Sequence, residues 1–311
     1  MTATTRMVKA NGLDMQIVED GKGPLVILCH GWPELSYSWR HQIPALAAAG
    51  YRVVAPDMRG YGGTSAPEAI DAYTIHHLVG DIVALVAALG ERQAIIVGHD
   101  WGANVAWHCA MFRPDVFPAV CAMSVPLRHR GPKAPMTALS EQGITTFYWQ
   151  YFQTPGVVEA EFARNWDFSM RAIYYGTGLG LTLKPGRGMI EDATIPEKTP
   201  SWISDGEMAH YVKEFSRTGL RGGINWYRNL DRNWALTAPW QDAKIAQPSF
   251  FIAGARDPVI TGLIGERALK TMDELLPGLR GKTIIEGAGH WIQQEKPAQV
   301  NAELLGFLKG L

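Results

Sequence analysis

The sequence predicts an α/β fold: a mostly parallel central sheet flanked by helices and interrupted late in its strand order by a helical insertion. Three observations predict it. Short uninterrupted apolar runs recur with helical patterns between them, the pattern stops over residues 127–240, and it then resumes. Strands buried on both faces read as continuous apolar runs, whereas half-exposed strands alternate. Strand–helix–strand repetition implies right-handed crossovers between parallel neighbours.

The elements follow in order. Leu25-Val-Ile-Leu-Cys29 is a buried strand ending at His30-Gly31, and Arg52-Val-Val-Ala-Pro56 is a second, ending at Asp57. Over 73–89, Ile75, Leu78, Val79, Ile82, Val86 and Leu89 form one helical stripe that Gly90 terminates. Ala94-Ile-Ile-Val97 is the next strand, followed by a helix over 102–112 that Pro114 stops. Val120-Cys-Ala-Met-Ser-Val125 comes next. The stretch 127–240 is rich in Trp and Tyr, with helical periods broken by Pro and Gly. Ser249-Phe-Phe-Ile-Ala253 and Lys282-Thr-Ile-Ile285 restore the strands, and a closing helix carries Val300, Leu304, Phe307 and Leu308 on one face. The expected division is a core domain over 1–126 and 241–311 with an inserted helical domain over 127–240.

Composition narrows the function. A chain of 311 residues can bury a large core. Lys and Arg number 29 against 30 Asp and Glu, a formal net charge of −1. That balance carries no broad footprint for nucleic acid or an anionic membrane, and points to a small uncharged partner. Cys29, Cys109 and Cys121 lie in apolar runs without disulfide or zinc-ligand spacing, so reduced core thiols are expected and no metal. The first residues lack the apolar stretch of a secretory signal, and no run reaches the length of a membrane span. A cytoplasmic protein is expected, as monomer or homodimer.

The chemistry-bearing segment is Gly98-His-Asp-Trp-Gly102, between a strand and a helix. Strand–Gly-x-nucleophile-x-Gly–helix describes a strained turn that lifts the central side chain above the sheet beside a helix N-terminus. Serine is usual there; here it is Asp100. A carboxylate is ionised near neutral pH and can attack a strained or activated sp³ carbon to form an alkyl ester. Asp before a helix also serves as an N-cap, but the flanking glycines favour the nucleophile. Water must then cleave the ester, which needs a base. His290, in Glu286-Gly-Ala-Gly-His290-Trp291 just after the last strand, has the position and titration range for it. Asp257, in Gly254-Ala-Arg-Asp257-Pro258 after the preceding strand, would orient the imidazole. Residues 126–140 contain no Asp or Glu, which leaves Asp257 for that task. The backbone N–H groups of Trp32, in His30-Gly-Trp-Pro-Glu34, and of Trp101 would form the oxyanion hole.

Together these residues resemble the α/β-hydrolase-fold epoxide hydrolases, and particularly the hydrolase domain of the soluble type. The segments His30-Gly-Trp-Pro-Glu34, Asp57-Met-Arg-Gly-Tyr-Gly62, Gly98-His-Asp-Trp-Gly102 and Gly289-His-Trp291 carry the resemblance, which spans nearly the whole chain. It implies that the insertion is a helical lid. It also implies two lid tyrosines that hold and protonate the epoxide oxygen. One is Tyr148 in Phe147-Tyr-Trp-Gln-Tyr-Phe-Gln153, with Tyr151 the alternative in the same motif; the other is Tyr227 in Asn225-Trp-Tyr227-Arg-Asn229. Trp101, Tyr148, Trp149 and Tyr227 are the expected substrate contacts. No cofactor is implied; the partners are an apolar epoxide and water, and the product is a vicinal diol. A haloalkane dehalogenase on the same fold is the nearest alternative, because it also uses an Asp nucleophile and an indole N–H could bind halide. A departing halide needs no proton, so the tyrosine pair would be idle there. A hydrolase fold retired to binding is the third reading, and the complete triad argues against it.

Overall fold

The five apolar runs up to Ala253 become strands without an exposed residue. A computed structural model describes residues 3–178 and 180–311, apart from the side chains of Leu263 and Ile264. The strands are β1 (Thr4–Ala10), β2 (Leu13–Asp20), β3 (Leu25–Cys29), β4 (Arg52–Pro56), β5 (Ile95–His99), β6 (Val120–Met123), β7 (Ser249–Gly254) and β8 (Leu279–Ile285). They form one eight-stranded sheet in the order β1-β2-β4-β3-β5-β6-β7-β8. From β4 to β8 every pairing is parallel, while β1–β2 and β2–β4 are antiparallel. Every residue of β3, β5 and β6 is buried, as continuous apolar runs require. This is the expected α/β architecture, extended by an antiparallel hairpin at one edge.

The chain divides into two compact units. The first comprises Met1–Ser65, Ile75–His129 and Pro239–Leu311 and contains the sheet. One face of that sheet packs Val26, Leu28, Val53 and Val97 against Ile43 and Leu46 of helix Gln42–Ala48 and against Val300, Leu304 and Phe307 of helix Pro297–Lys309. Helix Ile75–Ala88 buries Ile75, Leu78, Val79, Ile82, Leu85 and Val86, and Leu89 just past its end is buried too, the expected stripe with Leu85 added. The Asp57-Met-Arg-Gly-Tyr-Gly62 segment is structural. Asp57 accepts from the Ser36 and Gly63 N–H groups at 2.9 and 3.0 Å. Arg59 forks onto buried Asp81 at 2.7 and 2.5 Å.

The second unit, Ala66–Thr74 with Arg130–Ala238, is helical. Its segments include Pro135–Glu141, Tyr148–Tyr151, Val157–Ala163, Trp166–Tyr175, Asp205–Thr218, Arg221–Arg228 and Leu230–Leu236. The longest, Asp205–Thr218, starts at a capping box in which Ser204 and Glu207 satisfy each other's backbone N–H groups. Residues 66–74, which the sequence pattern places in the core, pack with these helices. Arg221 Nη1 donates to the Pro67 and Glu68 carbonyls, both at 3.1 Å, and Asn229 Nδ2 to the Ile70 carbonyl at 2.6 Å. Carbonyls with no strand to pair with are met there by side-chain donors. Among the described residues no helix is long and apolar enough to cross a membrane.

Candidate active site

Strand β5 ends at His99, and the next residue turns sharply. Asp100 adopts φ 52° and ψ −119°, a conformation that costs a non-glycine residue about 1–3 kcal/mol. The turn closes because Gly98 and Gly102 have no side chain. A Cβ on Gly98 would collide with the Gly102 carbonyl, and one on Gly102 with the Cys29 carbonyl. Asp100 occupies the N-cap position of helix Trp101–Phe112, yet its side chain makes no capping hydrogen bond. Its Oδ1 instead accepts the Trp32 N–H at 2.8 Å, across the loop after β3. Trp101, the other expected oxyanion donor, is buried at the start of the helix.

The expected acid and base follow β7 and β8. Asp257 follows β7 and is fully buried; His290 follows β8. His290 Nδ1 lies 3.1 and 3.0 Å from the two Asp257 carboxylate oxygens, and Nε2 lies 3.6 Å from Asp100 Oδ2. Asp257 Oδ1 also accepts the Val259 N–H at 2.8 Å. Burial works to raise the Asp257 carboxyl, but the His290 ring, the Val259 N–H and Ser124 outweigh it and hold it below the usual carboxylate range. Burial works to lower His290, but the Asp257 and then the Asp100 carboxylates outweigh it and raise the imidazole well above its ordinary value.

The second unit brings the expected tyrosines together. The Tyr148 and Tyr227 rings sit 5.7 Å apart, edge to face, and both pack edge-on against Phe152, at 5.4 and 4.9 Å. Trp149 lies beside them, 6.1 Å from the Tyr148 ring. Tyr151 is turned elsewhere. Its hydroxyl donates to Glu161 Oε2 at 2.8 Å, and that carboxylate also accepts the Met189 and Ile190 N–H groups at 3.0 and 2.9 Å. Burial, with the Glu161 hydrogen bond and charge, pushes the Tyr151 phenol up.

The chain matches the α/β-hydrolase fold family over residues 24–297. It is 48% identical to epoxide hydrolase A of Mycobacterium tuberculosis, across 99% of this chain and 98% of that one. The crystal structure of epoxide hydrolase A from Mycobacterium thermoresistibile is 45% identical, with a TM-score of 0.94 over 100% of this chain and 99% of the other. An epoxide hydrolase from an endophytic Streptomyces is 44% identical, with a TM-score of 0.95 over 99% of this chain and 96% of its own. This chain belongs to the epoxide hydrolases of the α/β-hydrolase fold.

In this epoxide hydrolase, residues that carried no sequence signal for the site hold its loops in place. Glu34 is fully buried, and its Oε2 accepts the Gly31 N–H at 2.8 Å and His99 Nδ1 at 2.7 Å. Burial raises the Glu34 carboxyl, but the His99 ring, then His30 and the Gly31 N–H, override it and hold it at about 2. His99 Nε2 faces the His290 backbone carbonyl at 2.7 Å. One buried pair thus joins the residue before Asp100, the loop carrying Trp32 and the loop carrying His290. Ser124, at φ 67°, adds a hydroxyl to the same carbonyl at 3.1 Å. On the other side of the His290 loop, Glu295 accepts the N–H groups of Gly289 and Trp291 at 2.7 and 2.9 Å. His30 ties its own loop to the segment after β4. It accepts the Met58 N–H at Nε2 and meets the Gly31 carbonyl at Nδ1, both at 2.9 Å. Cys29, Cys109 and Cys121 are buried free thiols, and burial raises all three. Among the described residues no group of three or more His, Cys, Asp or Glu could hold a metal ion.

Proposed function

We propose that this epoxide hydrolase works through Asp100, His290 and Asp257, with Tyr148 and Tyr227 as acids on a helical lid. One observation carries the reading: Asp100 Oδ1 is tied to the Trp32 N–H, while Oδ2 faces the base whose far side rests on Asp257. Oδ2 attacks the less hindered oxirane carbon, the carbon–oxygen bond breaks, and the phenols hydrogen-bond and protonate the departing alkoxide. A phenol has a reference pKa near ~10, so it keeps its proton until the ring opens. The alkyl ester then presents Oδ1 as its carbonyl oxygen, already at the Trp32 N–H, with the Trp101 N–H as second donor. Each good donor of this kind contributes about 3–4 kcal/mol to the tetrahedral intermediate. His290 Nε2 takes a proton from water as that water attacks the carbonyl carbon. Collapse breaks the bond from that carbon to Oδ2, so the diol leaves with Oδ2 and the carboxylate keeps the oxygen of water. Trp101, Trp149 and the lid aromatics suit an apolar alkyl or aryl epoxide. The buried thiols support a reducing, cytoplasmic setting.

A single turnover in heavy-oxygen water, with enzyme in excess, tests the covalent step. The first diol should carry its new oxygen from Asp100 and therefore no label, and the label should appear in the Asp100 peptide. Label in that first diol would exclude an enzyme ester. Running epoxide and haloalkane panels side by side, with diol and halide as readouts, tests the substrate class.

The two tyrosines of one motif are separable. Tyr148→Phe should slow ester formation by about 10²-fold, as loss of one donor to a developing oxyanion does. Tyr151→Phe should leave that rate nearly unchanged and instead lower stability by about 1–3 kcal/mol, because buried Glu161 loses a donor. Rapid-quench rates beside thermal unfolding check both, and the reverse order would move the acid to Tyr151.

A further inference from the structure

Two phenols can serve one oxirane oxygen only if the segments bearing them keep a fixed spacing. In the second unit they sit on different helices, Tyr148–Tyr151 and Arg221–Arg228. The first is a single turn, too short to hold its own geometry. Arg228, the residue after Tyr227, reaches the irregular segment that follows that turn. Its Nε donates to the Phe152 carbonyl at 3.0 Å and its Nη2 to the Thr154 carbonyl at 3.3 Å. Nη1 donates to Asn225 Oδ1 at 3.0 Å, one helical turn back, and pairs with Glu159 at 2.8 Å. The Arg228 side chain is only 3% exposed, so these bonds face little competition from water. A cation at a helix C-terminus is also favoured by the helix dipole. Gln153 adds a lighter second tie, donating to the Trp149 carbonyl at 2.8 Å and the Tyr227 carbonyl at 3.2 Å. Between the two ties lies Phe152, the ring both phenols pack against.

We infer that Arg228 is a positioning residue for epoxide opening: its planar fork sets the spacing between the Tyr148 and Tyr227 phenols. The inference rests on the proposed role of those two tyrosines. Lysine cannot replace it, because a point charge on a flexible stem cannot meet carbonyls and a carboxylate in one plane.

The test measures ester formation and ester hydrolysis separately by rapid quench, in Arg228→Met, Arg228→Lys and each of these combined with Tyr227→Phe. Arg228→Met should slow ester formation by about 10²-fold, the cost of misplacing a reacting group by about an ångström. Arg228→Lys should slow it by about tenfold. Ester hydrolysis should hold its wild-type rate in both. In the Tyr227→Phe background either substitution should have little further effect, since the spacing no longer serves two phenols. Full additivity in that background, or equal slowing of both steps, would overturn the inference while leaving the tyrosines as acids. Silent Tyr148→Phe and Tyr227→Phe single variants would remove the reading beneath it. If Arg228→Met fails to fold, Arg228→Lys decides alone. Loss of fold in both would reduce Arg228 to a structural part of the helical unit and end the proposal.

Discussion

His290→Gln is expected to stop the enzyme as its Asp100 ester. Ester formation needs only the carboxylate and the phenols, so the first half-reaction should survive. Water has no base, and steady-state turnover should fall by about 10²–10⁴-fold. The variant should fold, because His99 and Ser124 hold residue 290 by its backbone carbonyl and Glu295 holds the neighbouring N–H groups. Intact-protein mass spectrometry after brief exposure to excess epoxide should show one added substrate mass, and digestion should place it on Asp100. An unmodified protein of native fold would refute both the base and the ester.

Asp257→Asn should cost about 10⁴-fold in turnover, as loss of the orienting carboxylate does in a serine triad. The carboxylate accepts the proton of His290 Nδ1. An amide that donates there moves that proton to Nε2, the nitrogen that has to receive one from water. The pH profile carries a sign. Only the neutral ring is a base, so ester hydrolysis rises with pH through the His290 pKa. In the resting enzyme burial pulls that pKa down, but Asp257 and then Asp100 raise it well above the ordinary histidine value. Forming the ester cancels the Asp100 charge. The hydrolysis midpoint should therefore lie below the pKa read on the free enzyme, for example by NMR titration of His290. Asp257→Asn removes the larger raising influence, so its midpoint should move further toward acid. A midpoint that stays put in this variant would disconnect Asp257 from the base.

The parallel sheet was legible in the chain because buried parallel strands leave uninterrupted apolar runs, and Asp100, Asp257 and His290 each lie within a few residues of the end of one. The hairpin β1–β2 leaves no such run. Strand β1, Thr-Thr-Arg-Met-Val-Lys-Ala, is an edge strand exposed over most of its length, so it has no apolar run to show. Strand β2 hides Leu13, Met15 and Ile17 on alternate positions, a weaker signal than a run. Strand β8 begins at Leu279 rather than Lys282 for the same reason: an edge strand tolerates Arg280 and Lys282. Strand β6 ends at Met123, short of Val125, because Ser124 leaves the extended region to face the base loop. Glu34 and His99, which meet across 65 residues of chain, could not be found by pattern. Their partners are brought to them from distant segments by strand order, and nothing local marks a glutamate that will meet a histidine from β5. For Tyr148 against Tyr151, the resemblance gave the first and the Glu161 hydrogen bond occupies the second.

The nine-residue stretch Ala66–Thr74 has a consequence for recombination. The helical unit is written in two places in the gene, on either side of the nucleophile. A chimaera that exchanges only 130–238 between relatives would inherit its helices from one parent and their docking strip from the other. Arg221 and Asn229 would then face a foreign backbone where they now grip the Pro67 and Ile70 carbonyls. Crossovers that carry 66–74 along with 130–238 keep that grip intact, and they are the natural cut points for shuffling substrate range while keeping the same triad.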